Sequence, residues 1–451
     1  MTASLQAVDR RLPGIGGFAR ATIVIFGAMA VLQSSQGLDA VKLAYLGAAT
    51  LAVGGSVWSV YRERADALVA FARPWLVASL VVAGIIGISL PVALLHGTAF
   101  STWTRDAAAY ALVVAAPWVA LDLARSVTSR TMIGLTVLAG GLAALSYAIV
   151  WVQRRAITDV AIDRLVLPSF TLATALFAVA VAQSVSREHR RYWWAALASV
   201  TVALLLLAGT RTALAILIVP LVIIAIAWLT DRSLSFRTRI VPACLPLLTA
   251  GVIVASTQLS LAVDLGHLGG PLSGSDGSGS SDGSRSPPDP HTLEGRFDTF
   301  GSVLAGRDAS LQDRVAQTRA AWDIFLASPL VGSGLGVVVP WTTTSGRLET
   351  EFTADTPVLV LAKFGVLGLV LVGALGGAWL ITIRRLNQGG PSARASRLAL
   401  AGFGAAIVAL TPFGWQLEDK GTGLAVILIL GLALSEAGQA DLVRRRRGQE
   451  A

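Results

Sequence analysis

Apolar runs of about 17 to 25 residues alternate with short polar joints along most of this chain, the length an α-helix needs to cross roughly 30 Å of hydrocarbon. The runs fall at about 40–61, 74–95, 105–124, 131–152, 167–186, 192–208, 212–230, 240–258, 355–382, 396–412 and 421–438. A first run ends near Leu32, behind Arg10 and Arg11. It suits either a signal peptide or an uncleaved helix. The helix is preferred, because the weak cleavage pattern Ala28-Met29-Ala30 falls inside the run and not after it. The pattern predicts an all-α polytopic membrane protein of about twelve transmembrane helices. Helices one to nine occupy 1–258, a long polar segment 259–354, and helices ten to twelve with a basic tail 355–451.

The polar segment has two parts. Residues 269–290 (GGPLSGSDGSGSSDGSRSPPDP) hold too few apolar side chains to fold, and this flexible insertion is assigned no chemistry. Over 311–327 the character changes: Val315, Trp322, Ile324 and Phe325 among Gln312, Asp313, Arg314, Gln317, Arg319 and Asp323 predict an amphipathic helix ending before Pro329. The following PLVGSGLG lets backbone approach a neighbour or a ligand closely. On motif grounds a plain turn is favoured over a phosphate loop.

Composition removes the soluble alternatives. With 54% hydrophobic and 14% charged residues and a mean hydropathy of +0.68, the chain lies far from soluble domains, which carry about 25% charge. The net charge of +9 does not call for nucleic acid, since the excess basic residues sit in short joints between apolar runs. Those joints hold Arg62, Arg64 and Arg73; Arg125 and Arg130; Arg187, Arg190 and Arg191; Arg232, Arg237 and Arg239; Arg384, Arg385, Arg394 and Arg397; and Arg444 to Arg447. The positive-inside rule makes that side cytoplasmic, with both termini inside and 259–354 outside; the arginine tail can also touch anionic lipids. The lone Cys244 excludes an intrachain disulfide, and His96, His189, His267 and His291 show no metal-ligand spacing, so no metal and no cofactor is expected.

Against that bias, arginines on the outer side carry information. Arg154, Arg155 and Arg164 lie in the joint between helices five and six, where a local exception to the rule is the competing explanation. Arg211 lies in a joint so short (LLAGTRTALAILI) that its guanidinium belongs at the rim of the bundle. Several guanidinium forks around one cavity would hold a diphosphate. Lys363 falls within helix ten, where a buried ammonium needs a partner: a carboxylate of the bundle, the diphosphate itself, or the outer rim reached by snorkelling.

The pairing of GTRTALAIL at a helix turn with RVAQTRAAWDIFLASPLVGSGLG in the following loop, and then FGVLGL, resembles the O-antigen ligase and polymerase superfamily. The resemblance covers about 195–375. It implies a polytopic glycosyltransferase of a bacterial inner membrane, whose donor is a glycan on an undecaprenyl-type diphosphate and whose acceptor is a hydroxyl of a glycolipid or glycan. It further implies transfer outside the cytoplasm in one inverting displacement. The family's helix-turn arginine falls on Arg211, and the arginine opening its loop helix falls on Arg314. One large outer loop between helices nine and ten is more similar to the ligases than to the polymerases. The ligases carry a histidine at the start of the next helix, thought to activate the acceptor. Here the stretch is TADTPVLVLAKFG, with Asp355 at that place and Glu349 and Glu351 just upstream. A partly buried carboxylate with a raised pKa can take that proton. Asp355 equally suits the N-cap of helix ten, with Pro357 in its first turn. A polymerase joining repeat units and a lipid or polysaccharide transporter are the competing functions. Lys363 is the one clear charge away from the helix ends, which weighs against transport.

Overall fold

The computed structural model describes residues 21–25, 40–62, 67–155, 169–186, 190–207, 211–230, 241–253, 309–343, 346–350, 357–386, 391–411, 417 and 421–450. It is mostly helical. The helices are α1 (Ala40–Arg62), α2 (Ala67–Leu95), α3 (Phe100–Ser126), α4 (Ser129–Arg155), α5 (Phe170–Ser186), α6 (Arg191–Leu207) and α7 (Ile218–Thr230), the last preceded by a 3₁₀ segment, Arg211–Leu217. Then follow α8 (Val241–Ile253), α9 (Ala309–Ala327), α10 (Leu359–Phe364), α11 (Leu367–Leu386), α12 (Pro391–Leu410) and α13 (Thr422–Glu450).

Among the described residues five segments are long and apolar enough to cross a membrane: Leu68–Leu95, Phe100–Ser126, Ser129–Ile149, Val366–Leu386 and Ala393–Leu410. Shorter apolar helices stand at Phe170–Ser186, Arg191–Leu206, Leu214–Leu229, Val241–Ile253 and Thr422–Gly438. Helices therefore stand where the apolar runs predict them, while the count of about twelve spans stays an expectation. The 269–290 insertion lies outside the described residues.

Two helices form the centre. In α5 every residue from Thr171 to Val185 is buried, and in α13 the run Leu424 to Leu434 is buried throughout. A helix apolar on all sides has no face to give to solvent, so other helices surround it. Helices α4, α6 and α12 pack on α5, and α3 packs on α13. Gly140 of α4 permits one of these contacts, since a Cβ there would stand 2.9 Å from the Leu172 carbonyl.

Helices α2 and α11 run antiparallel. Trp75 Nε1 donates to Thr382 Oγ1 at 2.8 Å, and the Arg385 guanidinium donates to the carbonyls of Ala70 and Phe71 at 2.9 and 3.0 Å. Two of the basic joints, one with Arg73 and one with Arg384 and Arg385, thus share one end of the bundle. The loop after α9 packs on the α2–α3 turn at the opposite end, where Gly336 approaches Thr98, Thr102 and Trp103.

Three sequence expectations need correction. The expected helix over 355–382 is two helices, α10 and α11, because Gly365 between them adopts φ +60°. A neighbouring chain segment fills the place where a side chain would stand, 2.6 Å from Gly332 N and from Leu330 O. The all-α class is not strict: Val339–Thr343 (β1) and Gly346–Thr350 (β2) of the long loop form an antiparallel hairpin, with Trp341 opposite Leu348. Lys363 is also not the one buried charge within the apolar runs. Asp106 and Asp122 are both buried within α3, the latter accepting from Ser59 Oγ at 2.9 Å.

Candidate functional site at the loop end of the bundle

Helix α10 is short, and its last carbonyls have no partner within the helix. The PLVGSGLG loop supplies them: Ser333 N–H donates to Ala362 O and Gly334 N–H to Lys363 O, both at 2.9 Å. In return, Val366 N–H donates to Pro329 O at 2.8 Å. Within the loop, Ser328 Oγ donates to Gly332 O at 2.7 Å, and Gly332 N–H to Ser328 O at 2.9 Å. Gly332, Gly334 and Gly336 all have positive φ, at 68°, 84° and 79°. The close approach that the small residues allow is to neighbouring protein: the Lys363 backbone at Gly332, Ala93 at Gly334, and Thr98, Thr102 and Trp103 at Gly336.

Below this loop lies a buried ion pair. Lys363 Nζ stands 2.8 Å from Asp106 Oδ1 and 2.8 Å from Oδ2. Gly336 N–H donates to Oδ2 at 2.7 Å. The two side chains are 0% and 2% exposed, so the charges compensate one another out of contact with water. Tyr110, one turn from Asp106 on α3, meets Phe364 edge to face at 5.2 Å between ring centroids. Trp103, on the other side of Asp106, donates through Nε1 to Ser89 Oγ of α2 at 3.0 Å. The GSGLG loop thus does contact an anion with a backbone N–H, and that anion is the Asp106 carboxylate.

Of the partners open to Lys363, the structure shows the carboxylate of the bundle. Snorkelling is excluded by its complete burial. Arg314 sits half-buried in the second turn of α9, the helix that enters the clamped loop. Arg211 opens the 3₁₀ segment leading into α7. Arg154 and Arg155 end α4, and Glu349 stands opposite Pro340 in the hairpin register; for these four only the backbone is described. Arg164, Glu351 and Asp355 lie outside the described residues. Helix α10 begins at Leu359 with Val358 at its N-cap position, so the capping role expected of Asp355 falls on a residue outside the described ones. Sequence reasoning missed Asp106. A signal existed, a carboxylate near the outer end of an apolar run, but the predicted start at about 105 made it a helix-end charge. The helix begins at Phe100, which sets Asp106 nearly two turns inside.

Residues 194–373 match the model of the O-antigen ligase family. The match runs from the start of α6 through α9, the clamped loop and α10 into α11, less than half of the chain, and it supports the O-antigen ligase superfamily. It supports glycosyl transfer of the ligase or polymerase type on lipid-linked glycans, in a membrane protein. No curated protein matches the chain. Asp106 lies outside the matched segment while Lys363 and Gly336 lie inside it. The ion pair therefore fastens the O-antigen ligase segment to the helices that precede it.

Proposed function

We propose that this protein transfers a glycan from an undecaprenyl-type diphosphate to a hydroxyl of a glycolipid or glycan acceptor, outside the cytoplasm. The observation that carries this reading is the match over 194–373, which includes both Arg211 and Arg314. In the proposed reaction the acceptor hydroxyl attacks the anomeric carbon in one inverting step, and the bond to the diphosphate breaks. Arg211 and Arg314, with Arg154, Arg155 and Arg164 as further donors, neutralise the leaving diphosphate, as preorganised cations do for developing charge. The hydroxyl proton goes to a carboxylate, Asp355 first, with Glu351 and Glu349 next. Lys363 is assigned to the ion pair with Asp106 and not to the diphosphate, because its donors already face that carboxylate.

The test is turnover of the purified protein with a lipid-diphosphate donor. Arg211→Lys and Arg314→Lys are each expected to lose about 10- to 100-fold, because lysine keeps the charge but not the planar fork, and a charge-assisted contact contributes about 1.5–3 kcal/mol. Asp355→Asn is expected to lower turnover at unchanged protein levels. Full activity in Arg211→Lys and Asp355→Asn together would reject this mechanism and move the base elsewhere, to Glu351 or Glu349 first, whereas absence of turnover in the parent protein would favour the transporter class. The polymerase reading keeps its place because no histidine occurs between His291 and the end of the chain. A cell-surface glycan profile after deletion separates the two: a polymerase alters chain length, a ligase alters attachment.

The proposed orientation has its own measurement. A reporter inserted within 274–284 is expected to be active outside the cytoplasm only, and one fused after Arg447 inside only, from the sidedness of the basic joints. The reverse result at either point would turn the arginines toward the cytoplasm and remove the proposed site.

A further inference from the structure

Helix α9 is turned against its own polarity. Apart from Ile324, the residues it gives to the protein are small or polar: Gln317 and Ala321 are buried, and Ala320 and Ile324 pack with Ala321 against Val339, Trp341, Leu359 and Ala362. Three large apolar residues point away, with Val315 45%, Trp322 44% and Leu326 58% exposed. At roughly 100° per residue these three fall within about 40° of one another, a single strip along the helix. The exposed polar residues Gln312, Arg319 and Asp323 lie together on one flank of that strip, about 40° to 80° round from Val315. In water this arrangement would leave a tryptophan, a leucine and a valine unburied while a glutamine takes a core position.

The strip does not end with the helix. Leu330, next in the chain, is 73% exposed, and Pro329 beside it is bonded to Val366 N–H. Val366 is the first residue of the candidate span Val366–Leu386, of whose most apolar window only 22% is buried by protein. Its outward residues Val366, Leu369 and Val370 are exposed as well. The outward side of α9 is thus continuous with the outward side of a membrane-spanning helix.

We infer that α9 lies in the membrane interface, its Val315–Trp322–Leu326 strip seated at the boundary between headgroups and acyl chains and its Gln312–Arg319–Asp323 flank toward water. Tryptophan is favoured at that depth, and the Arg319 stem crosses apolar surface to set its guanidinium among headgroups. This placement rests on exposure and continuity, and is independent of the proposed reaction.

The experiment uses the full chain with Cys244, its one cysteine, changed to serine. Single cysteines at Val315, Leu326 and Leu330 are spin-labelled in vesicles of phosphatidylethanolamine and phosphatidylglycerol. Leu80→Cys, an outward residue of α2 that is 61% exposed, supplies the lipid reference. Collisions with oxygen, which concentrates in hydrocarbon, are compared with collisions with a water-soluble nickel chelate. Oxygen collisions are expected to exceed nickel collisions at all three sites, in the sense found at Leu80. An excess of nickel collisions would place the strip in water, and shielding from both reagents would show protein covering it; either result overturns the inference. The labelled sites are already exposed, so folding is preserved, and a monodisperse elution profile for each variant checks it.

Discussion

Asp106→Ala is expected to destabilise the folded protein by about 3–5 kcal/mol, the loss that follows when one partner of a buried ion pair is removed. The cause is the Lys363 ammonium, 0% exposed and deprived of the Asp106 carboxylate, together with a Gly336 N–H that loses its acceptor. Lys363→Ala is expected to do comparable damage from the other side, stranding the carboxylate. The double variant Asp106→Asn with Lys363→Met should recover most of the loss. It carries no buried charge, the asparagine oxygen still accepts from Gly336 N–H, and methionine fills much of the lysine volume. Folded fraction after heating in detergent, for the two single variants and the double, measures this. Single variants as stable as the parent protein would show that the pair contributes nothing. A double variant as poor as the singles would show that shape, and not charge compensation, governs the position.

Gly334→Ala is expected to undock the loop. The backbone there has φ +84°, which costs an L-residue about 1–2 kcal/mol. A Cβ would also stand 2.6 Å from both Ala93 N and Ala93 Cβ, where no flexible side chain can give way. Overpacking of this kind adds about 1–3 kcal/mol. Since Gly334 N–H is bonded to Lys363 O and Gly336 N–H to Asp106, the displacement pulls on both halves of the clamp. Gly373→Ala in α11 is the control. Nothing lies within 4 Å of its added Cβ, and alanine in a helix gains roughly 0.5–1 kcal/mol over glycine. Protease sensitivity between α9 and β1 should therefore rise in Gly334→Ala and stay level in Gly373→Ala. Equal sensitivity in both variants would show that the loop docks without its glycine.

Neither change touches a residue assigned to the diphosphate or to proton transfer. Both act on Arg314 through α9, because the helix and the clamped loop are one continuous piece of chain. A loss of turnover in the Asp106 variants with the donor KM raised would place the clamp among the groups that position Arg314. A loss proportional to the folded fraction alone would leave it a stabilising contact.

Run length and hydropathy alone determined the helical membrane class and the approximate place of most described helices, because crossing hydrocarbon leaves the backbone few options and the apolar stretch has a fixed length. The end of α9 before Pro329 was legible for a similarly local reason, since proline cannot continue a helix. The motifs around Arg211 and Arg314 were legible as a resemblance, and the match over 194–373 agrees with it. What the sequence could not contain was the partner of Lys363. Asp106 lies 257 positions away, and only the packing of α3 beside α10 brings the two together. The same holds for the GSGLG loop, whose glycines suit a turn, a phosphate or a docked backbone equally well until the neighbour is known. The orientation of α9 was decided in tertiary structure too. Periodicity marks an apolar strip but not which way it faces, and contacts with the hairpin and α10 turned the alanines inward and left Val315, Trp322 and Leu326 outside.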